Sequence, residues 1–401
     1  MTRPTTTGKA QDLITFTRST TGTYLGSDGL LKSAAINEAR IEYDASGNCL
    51  GLLVEEARTN VITYSEDFSN GAWSKQSASI TANTTVSPDG TLTGDKLIGN
   101  NATVNTEKFT NRSIYSYVGQ TVTGSVYVKK AEYTWVQINL YNSGAYSNRV
   151  WVNLDTGAVG TNLSSIPVTV TPVGDSWYRV VLTATIQATG LAFLTFALAD
   201  ADGDLYTNVG DQYSGTYLWG AQVETGSFPT SYIPTSGSTV TRSADVASLA
   251  VSEFGYNQDQ GTVVATGSTV STVGAGKEMI NLNDGTNSNH MQLNKTAFTN
   301  QTRARFFVIT GNTTQAQIFS AVGSVSAGSV NKHAGAFQKN DFAFVFDGSL
   351  KGVDTVGEVP PVTTVTLGAS ATSAQQLNGH IKSVQYYPLR LSNAQLQALT
   401  V

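Results

Sequence analysis

The histidines of this chain are few and scattered, which argues against a catalytic or metal centre built on imidazole. There are three, His290, His333 and His380, and none lies at metal-ligand spacing from another. The sequence contains no G-x-S-x-G, H-E-x-x-H or P-loop lysine motif, the patterns that mark a serine nucleophile, a zinc site or a phosphate site. We therefore expect the histidines to be solvent-facing residues of strands or loops.

The carboxylates form no evident acid-base pair either. Hydrolysis of a glycosidic bond needs two carboxylates facing each other across the sugar. The strongest pairs here, Glu55-Glu56 and Glu66-Asp67, are sequence neighbours, and neighbours on a strand point to opposite faces. The pattern predicts a protein that is not an enzyme. Carboxylates distant in sequence could still meet in the fold, so a polysaccharide depolymerase remains an alternative.

One acidic segment has the spacing of a calcium loop. In "DADGDLYTNVGD" (200–211), Asp200, Asp202 and Asp204 alternate around Gly203. Hard oxygen ligands at every second position can surround a Ca²⁺ ion, although the glutamate of a complete EF-hand loop is missing at the twelfth position. The three aspartates are therefore candidate calcium ligands, and a solvated acidic turn is the alternative.

A strand pattern places aromatic and amide side chains on one sheet face. The segment "YTWVQINLY" (133–141) alternates polar and aliphatic residues, and its polar face carries Tyr133, Trp135, Gln137 and Asn139. Sugars stack on aromatic rings, and amides bond to their hydroxyl groups. These four residues are candidate carbohydrate-binding residues. The alternative is that a loop or a neighbouring subunit covers this face.

Composition indicates the elements that must position such residues. Only 13% of the 401 residues are charged, glycine is abundant at 38, and Thr, Ser, Asn and Val are frequent. Thr and Val favour strands, whereas Gly, Asn and Ser favour tight turns, so the composition predicts an all-β fold. The net charge of −5 without a basic patch argues against binding to nucleic acid through phosphate contacts. Neither a membrane-spanning run nor a signal peptide is evident.

Short strands separated by turns every eight to twelve residues have the spacing of β-sandwiches and barrels, and they fall into two blocks that we interpret as two β-sandwiches. We expect residues 61–235 to form the first sandwich and residues 261–401 the second. The Ser/Thr/Gly-rich residues 236–260 are interpreted as a linker. A capping box at Ser392 and Gln395 predicts a short helix at the end of the second sandwich.

Residues 1–60 are expected to form an extended N-terminal arm followed by short attachment and oligomerisation strands. The apolar stretches "LITF" (13–16) and "CLGLLV" (49–54) are too few to bury a core of their own. They need a partner, which is either the sandwich behind them or the same segment of neighbouring chains. We expect a homotrimer held partly by this region, because multivalency strengthens a weak surface contact.

Two stretches resemble a group of bacteriophage and prophage structural proteins of the tail, tail-fibre or head-spike-fibre type. They are "LGLLVEEARTNVITYSEDFSNGAWSK" (50–75) and "YLWGAQVETGSFPTSYIPTSGSTVTRSADV" (217–246). The block around "DSWYRVVLTATI" (175–186) resembles carbohydrate-binding-module-like jelly rolls. The end of the chain, "LNGHIKSVQYYPLRLSNAQLQAL" (377–399), resembles concanavalin A-like (laminin G-like) lectin domains.

This resemblance implies a virion structural protein that displays sandwiches for recognition of the host cell surface, with a glycan as the expected receptor. It implies a place on the virion surface, at the tail rather than the head, and contacts with other virion proteins through the N-terminal region. Such a protein would be made in the host cytoplasm without a signal peptide. A structural or decoration protein with no receptor role is the first alternative, and a depolymerase is the second.

Overall fold

The computed structural model of the chain describes residues 13–100, 106–114, 117, 119–142, 147–187, 192–205, 210–274, 276–296 and 302–401. The described residues are almost entirely strands and turns, and every strand pair is antiparallel. The predicted all-β class with two sandwiches of the jelly-roll type is confirmed. Residues 1–12, the expected extended arm, lie outside the described residues.

The strands follow one another in this order. The first six are β1 (Thr15–Thr17), β2 (Gly22–Leu25), β3 (Leu31–Ala34), β4 (Ile41–Tyr43), β5 (Cys49–Val54) and β6 (Arg58–Asn60). The next twelve are β7 (Ser74–Gln76), β8 (Ala78–Thr85), β9 (Gly94–Gly99), β10 (Phe109–Ser113), β11 (Thr121–Lys130), β12 (Trp135–Asn142), β13 (Ser147–Asn153), β14 (Val159–Asn162), β15 (Val168–Val173), β16 (Trp177–Thr185), β17 (Ala192–Ala199) and β18 (Gly215–Thr225). The last twelve are β19 (Val240–Arg242), β20 (Val246–Ala250), β21 (Gln260–Thr269), β22 (Lys277–Asn283), β23 (His290–Thr296), β24 (Arg305–Thr310), β25 (Thr313–Phe319), β26 (Asn331–Gln338), β27 (Asp341–Phe346), β28 (Ser349–Asp354), β29 (Thr364–Leu367) and β30 (Gly379–Tyr387).

The first sandwich is built from one continuous part of the chain. Its two six-stranded sheets have the orders β14-β13-β12-β17-β10-β7 and β15-β16-β11-β18-β9-β8. Val136, Ile138 and Leu140 of β12 are fully buried between the sheets, together with Leu194 and Phe196 of β17. The alternation predicted for this strand is therefore confirmed, with the aliphatic side chains facing the core.

The second sandwich is built from two parts of the chain that are far apart in sequence. Its seven-stranded sheets have the orders β1-β20-β29-β22-β23-β24-β25 and β28-β27-β26-β21-β30-β5-β4. Ile280 and Leu282 of β22 pack in its core with Leu293, Phe306 and Phe344. Alternate residues of β22 and β23 therefore face the core, and the residues between them face outward.

Strands β1, β4 and β5 belong to this second sandwich, whereas β2 and β3 form a separate two-stranded sheet, which corrects the expected N-terminal unit. β1 pairs with β20, and β5 pairs with β30, with Val54 opposite Gly379. Phe16, Leu52 and Val54 join the core of the second sandwich. The structure pairs these strands with neither of the two partners considered but with the second sandwich of the same chain, because that sandwich supplies both the apolar layer and the open backbone edges that they need.

Residues 236–260 are not a free linker. They contain β19 and β20, and both Arg242 and Asp245 are almost completely buried. β19 pairs with β6, so the chain enters and leaves the first sandwich through one two-stranded ribbon. The Ser/Thr-rich composition indicated a linker, but here these residues form strands, and the two charged residues among them find partners. The first sandwich is thus an insertion between the two parts of the second.

A buried ionic cluster lies beside the ribbon and joins both parts of the second sandwich. Arg18 Nη1 is 3.1 Å from Asp245 Oδ1, and Arg40 Nη2 is 2.8 Å from Glu55 Oε2. Arg40 also contacts Asp245, and Arg242 Nη2 is 3.4 Å from Glu55 Oε2. Because each charge has an opposite charge beside it, the cluster can remain ionised away from water.

Glu55 also binds the segment that follows β18. The backbone N–H and the hydroxyl of Ser231 both donate to the Glu55 carboxylate at 2.7 Å. Burial alone would raise the pKa of Glu55, but Arg242, Arg40 and these hydrogen bonds lower it to about 2. The carboxylate is therefore ionised at neutral pH and holds the first sandwich against the ionic cluster.

The chain ends in the helix α1 (Asn393–Leu399), which begins at the predicted capping box. Ser392 Oγ accepts from the backbone N–H of Gln395, and the Gln395 side chain accepts from the backbone N–H of Ser392. Leu396 is buried in a small cluster against β26 and β27. In the described part of the chain, no helix is both long and apolar enough to span a bilayer.

Candidate functional site

The structure places three of the four predicted carbohydrate-binding residues on the outer face of the first sandwich. Trp135, Gln137 and Asn139 alternate along β12, but Gln137 and Asn139 are only 1% and 3% exposed, and Trp135 is half-buried. Tyr133 precedes the strand and packs against the core, where burial raises the pKa of its hydroxyl to about 12. The four side chains do not form an open surface, and sugar binding by them stays a prediction.

Neighbouring side chains engage the polar groups of this face. Gln137 Nε2 donates to Glu107 Oε1 at 3.3 Å, and Arg149 Nη2 lies 3.5 Å from Glu107 Oε2. Trp151 is fully buried on the same side of the sheet and donates its indole N–H to the Asp204 carbonyl at 2.8 Å. This face is therefore occupied by contacts within the chain.

The acidic segment lies beside the same face but does not gather its carboxylates. Asp202 Oδ1 accepts from the backbone N–H of Thr161 at 2.7 Å, and Gly160 leaves room for Asp202 and the Trp135 ring. Within the described ranges, no group of three His, Cys, Asp or Glu side chains could hold a metal ion. Asp200, Asp202 and Asp204 are all described, so the structure does not bring them together as calcium ligands.

The expectation of solvent-facing histidines is wrong, because all three side chains are buried. His333 lies in β26 against Phe346, and burial lowers its pKa to about 3. His380 Nε2 is 2.6 Å from Glu42 Oε2, a contact between the two parts of the second sandwich. His290 lies on the outer face of that sandwich, in a polar environment that sequence interpretation missed.

A row of buried amides crosses the outer face of the second sandwich. Asn281 and Asn283 alternate with core-facing residues along β22, and Gln292 and Asn294 do so along β23. Asn281 lies opposite Gln292 in the register of the two strands. We call these four side chains the amide ladder. Directly opposite pairs on one sheet face are close enough to interact.

Glu278 reaches the amide ladder because β22 is irregular at its start. The register between β22 and β23 shifts on both sides of Glu278, which puts this residue opposite Asn294. Such a bulge re-aims a side chain relative to a regular strand. Asn281 Nδ2 then donates to Glu278 Oε2 at 2.8 Å.

Hydrogen bonds join the ladder into one network across three strands. Asn283 Nδ2 donates to Asn281 Oδ1 at 3.2 Å, and Asn294 Nδ2 donates to Gln292 Oε1 at 3.2 Å. Arg305 Nε, on β24, donates to Asn294 Oδ1 at 3.0 Å. These bonds fix the amide orientations before any ligand arrives, which lowers the entropy lost on binding.

Glu278 is the titratable centre of this network. Its complete burial raises the pKa of its carboxyl group to about 8. Gln292 Oε1 lies 2.5 Å from Glu278 Oε1, a distance that fits an O–H···O bond from a protonated carboxyl. Gln292 Nε2 is 3.0 Å from His290 Nε2, and His290 Nδ1 is 3.0 Å from the Asn287 carbonyl. Burial lowers the pKa of His290, so a neutral imidazole fits between the two. At neutral pH Glu278 and His290 are therefore neutral, and Arg305 is the charged member of the network.

A cavity of about 260 Å³ opens over the ladder, and we call it the amide cavity. Buried Glu278, Asn281, His290 and Gln292 line it together with the exposed Asn287 and Thr372. Every one of these side chains can bond to a hydroxyl group, and the amides can both donate and accept. The amide cavity can therefore hold a small polyhydroxylated ligand.

A second cavity, of about 520 Å³, lies where the ribbon meets the second sandwich, and we call it the junction cavity. Phe228 is flanked by two cations: the Arg58 guanidinium carbon is 4.6 Å from its ring centroid, and Lys277 Nζ is 5.3 Å away. Ala374 and Gln375 line both the junction cavity and the amide cavity. The two cavities are therefore neighbours along one loop.

The sequence contained a signal for this site. In "EMINLND" (278–284) and "HMQLNK" (290–295), polar residues occupy alternate positions that carry amides in both strands. The same alternation drew attention to β12 because a tryptophan was present there. A search for paired amide alternation in consecutive strands, without requiring an aromatic residue, would have found the ladder.

No family model matches the chain, and no curated protein matches it. Among solved structures, the chain is similar to the Ruminococcus gnavus IT-sialidase CBM40, with 21% identity over 36% of this chain and 83% of that chain and a TM-score of 0.30. It is also similar to domains LG4-5 of the mouse laminin alpha1 chain, with 10% identity over 71% of this chain and 86% of that one and a TM-score of 0.25.

A third similar structure is the heptameric SAP-like pentraxin of Limulus polyphemus, with 13% identity over 35% of this chain and 69% of that chain and a TM-score of 0.29. At such identities and scores the likeness concerns the β-sandwich fold alone. No binding residue and no activity is transferred from these proteins to this chain.

Proposed function

We propose that this protein recognises glycans without cleaving them, and that the amide cavity is the recognition site. The observation that carries the proposal is a concave surface lined by amides whose orientations are already fixed by hydrogen bonds. Sugar hydroxyls donate and accept, as amides do, so neighbouring hydroxyls of one ring match neighbouring amides. A preorganised site of this kind binds with less loss of side-chain entropy.

The presence of a single carboxyl group in the lining of the amide cavity supports recognition of a glycan rather than its hydrolysis. Glycoside cleavage uses two carboxyl groups, one on each side of the scissile bond. Among the described residues that line the amide cavity, Glu278 is the single acidic one. Its carboxyl group is engaged with Asn281 and Gln292 inside the network. A binding role needs no second carboxyl group and is compatible with these hydrogen bonds.

The proposed place of this function is the surface of a virion. The resemblance of residues 50–75 and 217–246 to phage tail and fibre proteins supports display on a virion, with a host-surface glycan as the receptor. Gold-labelled antibody against the protein should mark particles at the tail in electron micrographs. Labelling of the head without glycan binding would instead favour a decoration role.

A bulky residue at the mouth of the amide cavity tests the site. Ala374 is exposed and lines the cavity, so Ala374→Trp should fold normally and block access to the ladder. Ala158→Trp, at an exposed turn of the first sandwich, is the matched control. We expect glycan-array signals to disappear for Ala374→Trp and to persist for Ala158→Trp. Equal binding by both variants would place recognition elsewhere.

Depolymerase activity is a second candidate because a protonated carboxyl group in a polar cavity could act as a general acid. The raised pKa of Glu278, about 8, is the observation that favours it. Purified protein incubated with host polysaccharide should release no oligosaccharide under the binding proposal. Release that Glu278→Gln abolishes would establish the enzymatic function instead.

A further inference from the structure

The junction cavity continues the amide cavity and has a different character. Ala374 and Gln375 belong to both linings, and the consecutive residues Lys277 and Glu278 line one cavity each. The bulge at the start of β22 allows these neighbours to serve adjacent cavities. A ligand longer than one sugar ring could therefore extend from the amides to the cations.

Arg58 presents a donor to the junction cavity. Its Nε and Nη2 are held by Glu56 Oε1 at 2.7 and 2.6 Å. Its Nη1 is buried and has no hydrogen-bond partner. Gly226, which also lines the cavity, leaves room for this end of the guanidinium, because a Cβ there would collide with Nη1. A buried donor without a partner costs free energy unless a ligand supplies an acceptor.

The charges at this place favour an anionic acceptor. Arg58 and Lys277 contribute two positive charges beside Phe228, and Glu56 contributes one negative charge. Buried Glu224 also interacts with Arg58, but burial raises the pKa of its carboxyl group, which favours the neutral form. The lining of the junction cavity therefore carries more positive than negative charge, whereas the chain as a whole carries −5. A carboxylate that accepts from Arg58 Nη1 would form a charge-assisted hydrogen bond in a site that is partly shielded from water.

We infer that the two cavities together bind an acidic glycan, with the carboxylate of a uronic-acid-type sugar on Arg58 and the hydroxyls of the adjoining sugar on the amide ladder. The inference rests on the proposed function and adds the class of sugar. The Glu56 carboxylate sets the geometry, since it holds Nε and Nη2 of the guanidinium and leaves Nη1 as the nitrogen without a partner. A sulfate ester offers similar acceptor chemistry, so the test separates the two.

The experiment uses calorimetry with three matched oligosaccharides: a uronic acid oligomer, its carboxyl-reduced neutral form, and a sulfated derivative of that neutral form. We expect the uronic acid oligomer to bind at least about tenfold more tightly than the neutral one, as one charge-assisted hydrogen bond would give. This preference should decrease with rising salt. Preference for the sulfated oligomer over the uronic acid oligomer would overturn the carboxylate assignment.

Two variants locate the preference. Arg58→Met and Lys277→Met should each reduce affinity for the acidic oligomer and leave affinity for the neutral oligomer unchanged. Lys129→Met, which removes a partly exposed cation of the first sandwich, should change neither affinity. If Arg58→Met lowers the melting temperature, the preference for the acidic oligomer is tested with Lys277→Met and with the salt series on the unmodified protein. Equal binding of acidic and neutral oligomers would overturn this inference and leave the proposed function standing. Binding of neither would overturn both.

Discussion

The two sandwiches use the same local device, polar side chains alternating along the outer side of a strand, with different results. In the first sandwich, Gln137 and Trp151 are engaged by Glu107 and by the Asp204 carbonyl. In the second, the amide ladder lies under a cavity of about 260 Å³. Alternation of polar and apolar side chains therefore identifies the outer face of a strand but does not tell whether that face is open to a ligand.

The two sandwiches also differ in how the chain builds them. The first runs from β7 to β18 without interruption, whereas the second needs β1, β4 and β5 from one side of the insertion and β20 onward from the other. The sandwich that has the open cavity is therefore also the one that is built from two separate parts of the chain. Four predictions separate the two sandwiches, beginning with the largest effect.

The strongest contrast is in independent folding. Residues 61–235 alone should fold, while residues 261–401 alone should not, because the second fragment lacks the partners of β29 and β30. Circular dichroism and thermal unfolding of each fragment measure this. As a control, a chain with residues 61–235 replaced by a short Gly/Ser linker should fold, since β6 and β19 already hold the ends together. Cooperative unfolding of the 261–401 fragment would contradict the discontinuous sandwich.

A second contrast concerns buried and exposed ion pairs. Asp245→Asn leaves Arg18 without its charge partner inside the protein and leaves Arg40 with Glu55 alone, and we expect a loss of about 3–5 kcal/mol in the free energy of unfolding of the second sandwich. Asp175→Asn, which breaks an exposed pair with Lys129 in the first sandwich, should cost less than about 1 kcal/mol. Urea denaturation measures both. Equal losses would mean that the buried cluster contributes no more than a surface pair.

The third prediction is the pH dependence that Glu278 gives to the stability of the second sandwich. Glu278 has a pKa of about 8 in the folded state against an ordinary value of 4.5, so the folded state holds an extra proton between these values. Stability therefore falls as pH rises through this window, by up to about 1.4 kcal/mol per pH unit. Glu278→Gln should remove the slope.

The range between pH 6.5 and 8 isolates this effect. His333, with a folded pKa of about 3, contributes the opposite slope only below its ordinary value of 6.5. Lys295, with a folded pKa of about 8, contributes an opposite slope only above that value. Urea unfolding of the unmodified protein and of Glu278→Gln across this range should differ in slope. Parallel curves would show that Glu278 titrates normally.

The smallest effect is expected at the residue that first suggested sugar binding. Trp135→Ala should leave glycan affinity within about twofold of the unmodified protein, a change of under half a kcal/mol. The ring is half-buried beside Gly160 and Asp202, so its removal is expected to affect local packing in the first sandwich. Calorimetric titration of both proteins with the same glycan measures this difference in affinity. A loss of about tenfold or more would restore the β12 face as the binding surface.

The sequence predicted the fold class and the faces of individual strands well, because these depend on local periodicity. The core positions of β12 and the capping box at Ser392 followed from spacing alone. The partner of β5 could not be predicted in this way. Its pairing with β30 depends on which strand edge is open after the whole sandwich has formed, and no local pattern encodes that.

The candidate site was missed for a related reason. The bulge that turns Glu278 toward the ladder and the loop that brings Ala374 to both cavities are properties of the assembled sheet. The charges of Arg242 and Asp245 were hidden in a Ser/Thr-rich stretch that composition assigned to a linker. Their role became visible only with Glu55 and Arg40 beside them.

The pairing of β5 with β30 also determines the order of events during translation. The backbone N–H of Glu56 bonds to the side chain of Asn378, which is 322 residues further along the chain. At ordinary elongation rates the ribosome needs on the order of tens of seconds to reach that partner. The first sandwich has emerged completely by then and can fold. Until β20 and β30 are synthesised, β1 and β5 lack these partner strands. Chaperones that bind exposed strands would therefore act on the nascent chain at its N-terminal strands, well before the last strand leaves the exit tunnel.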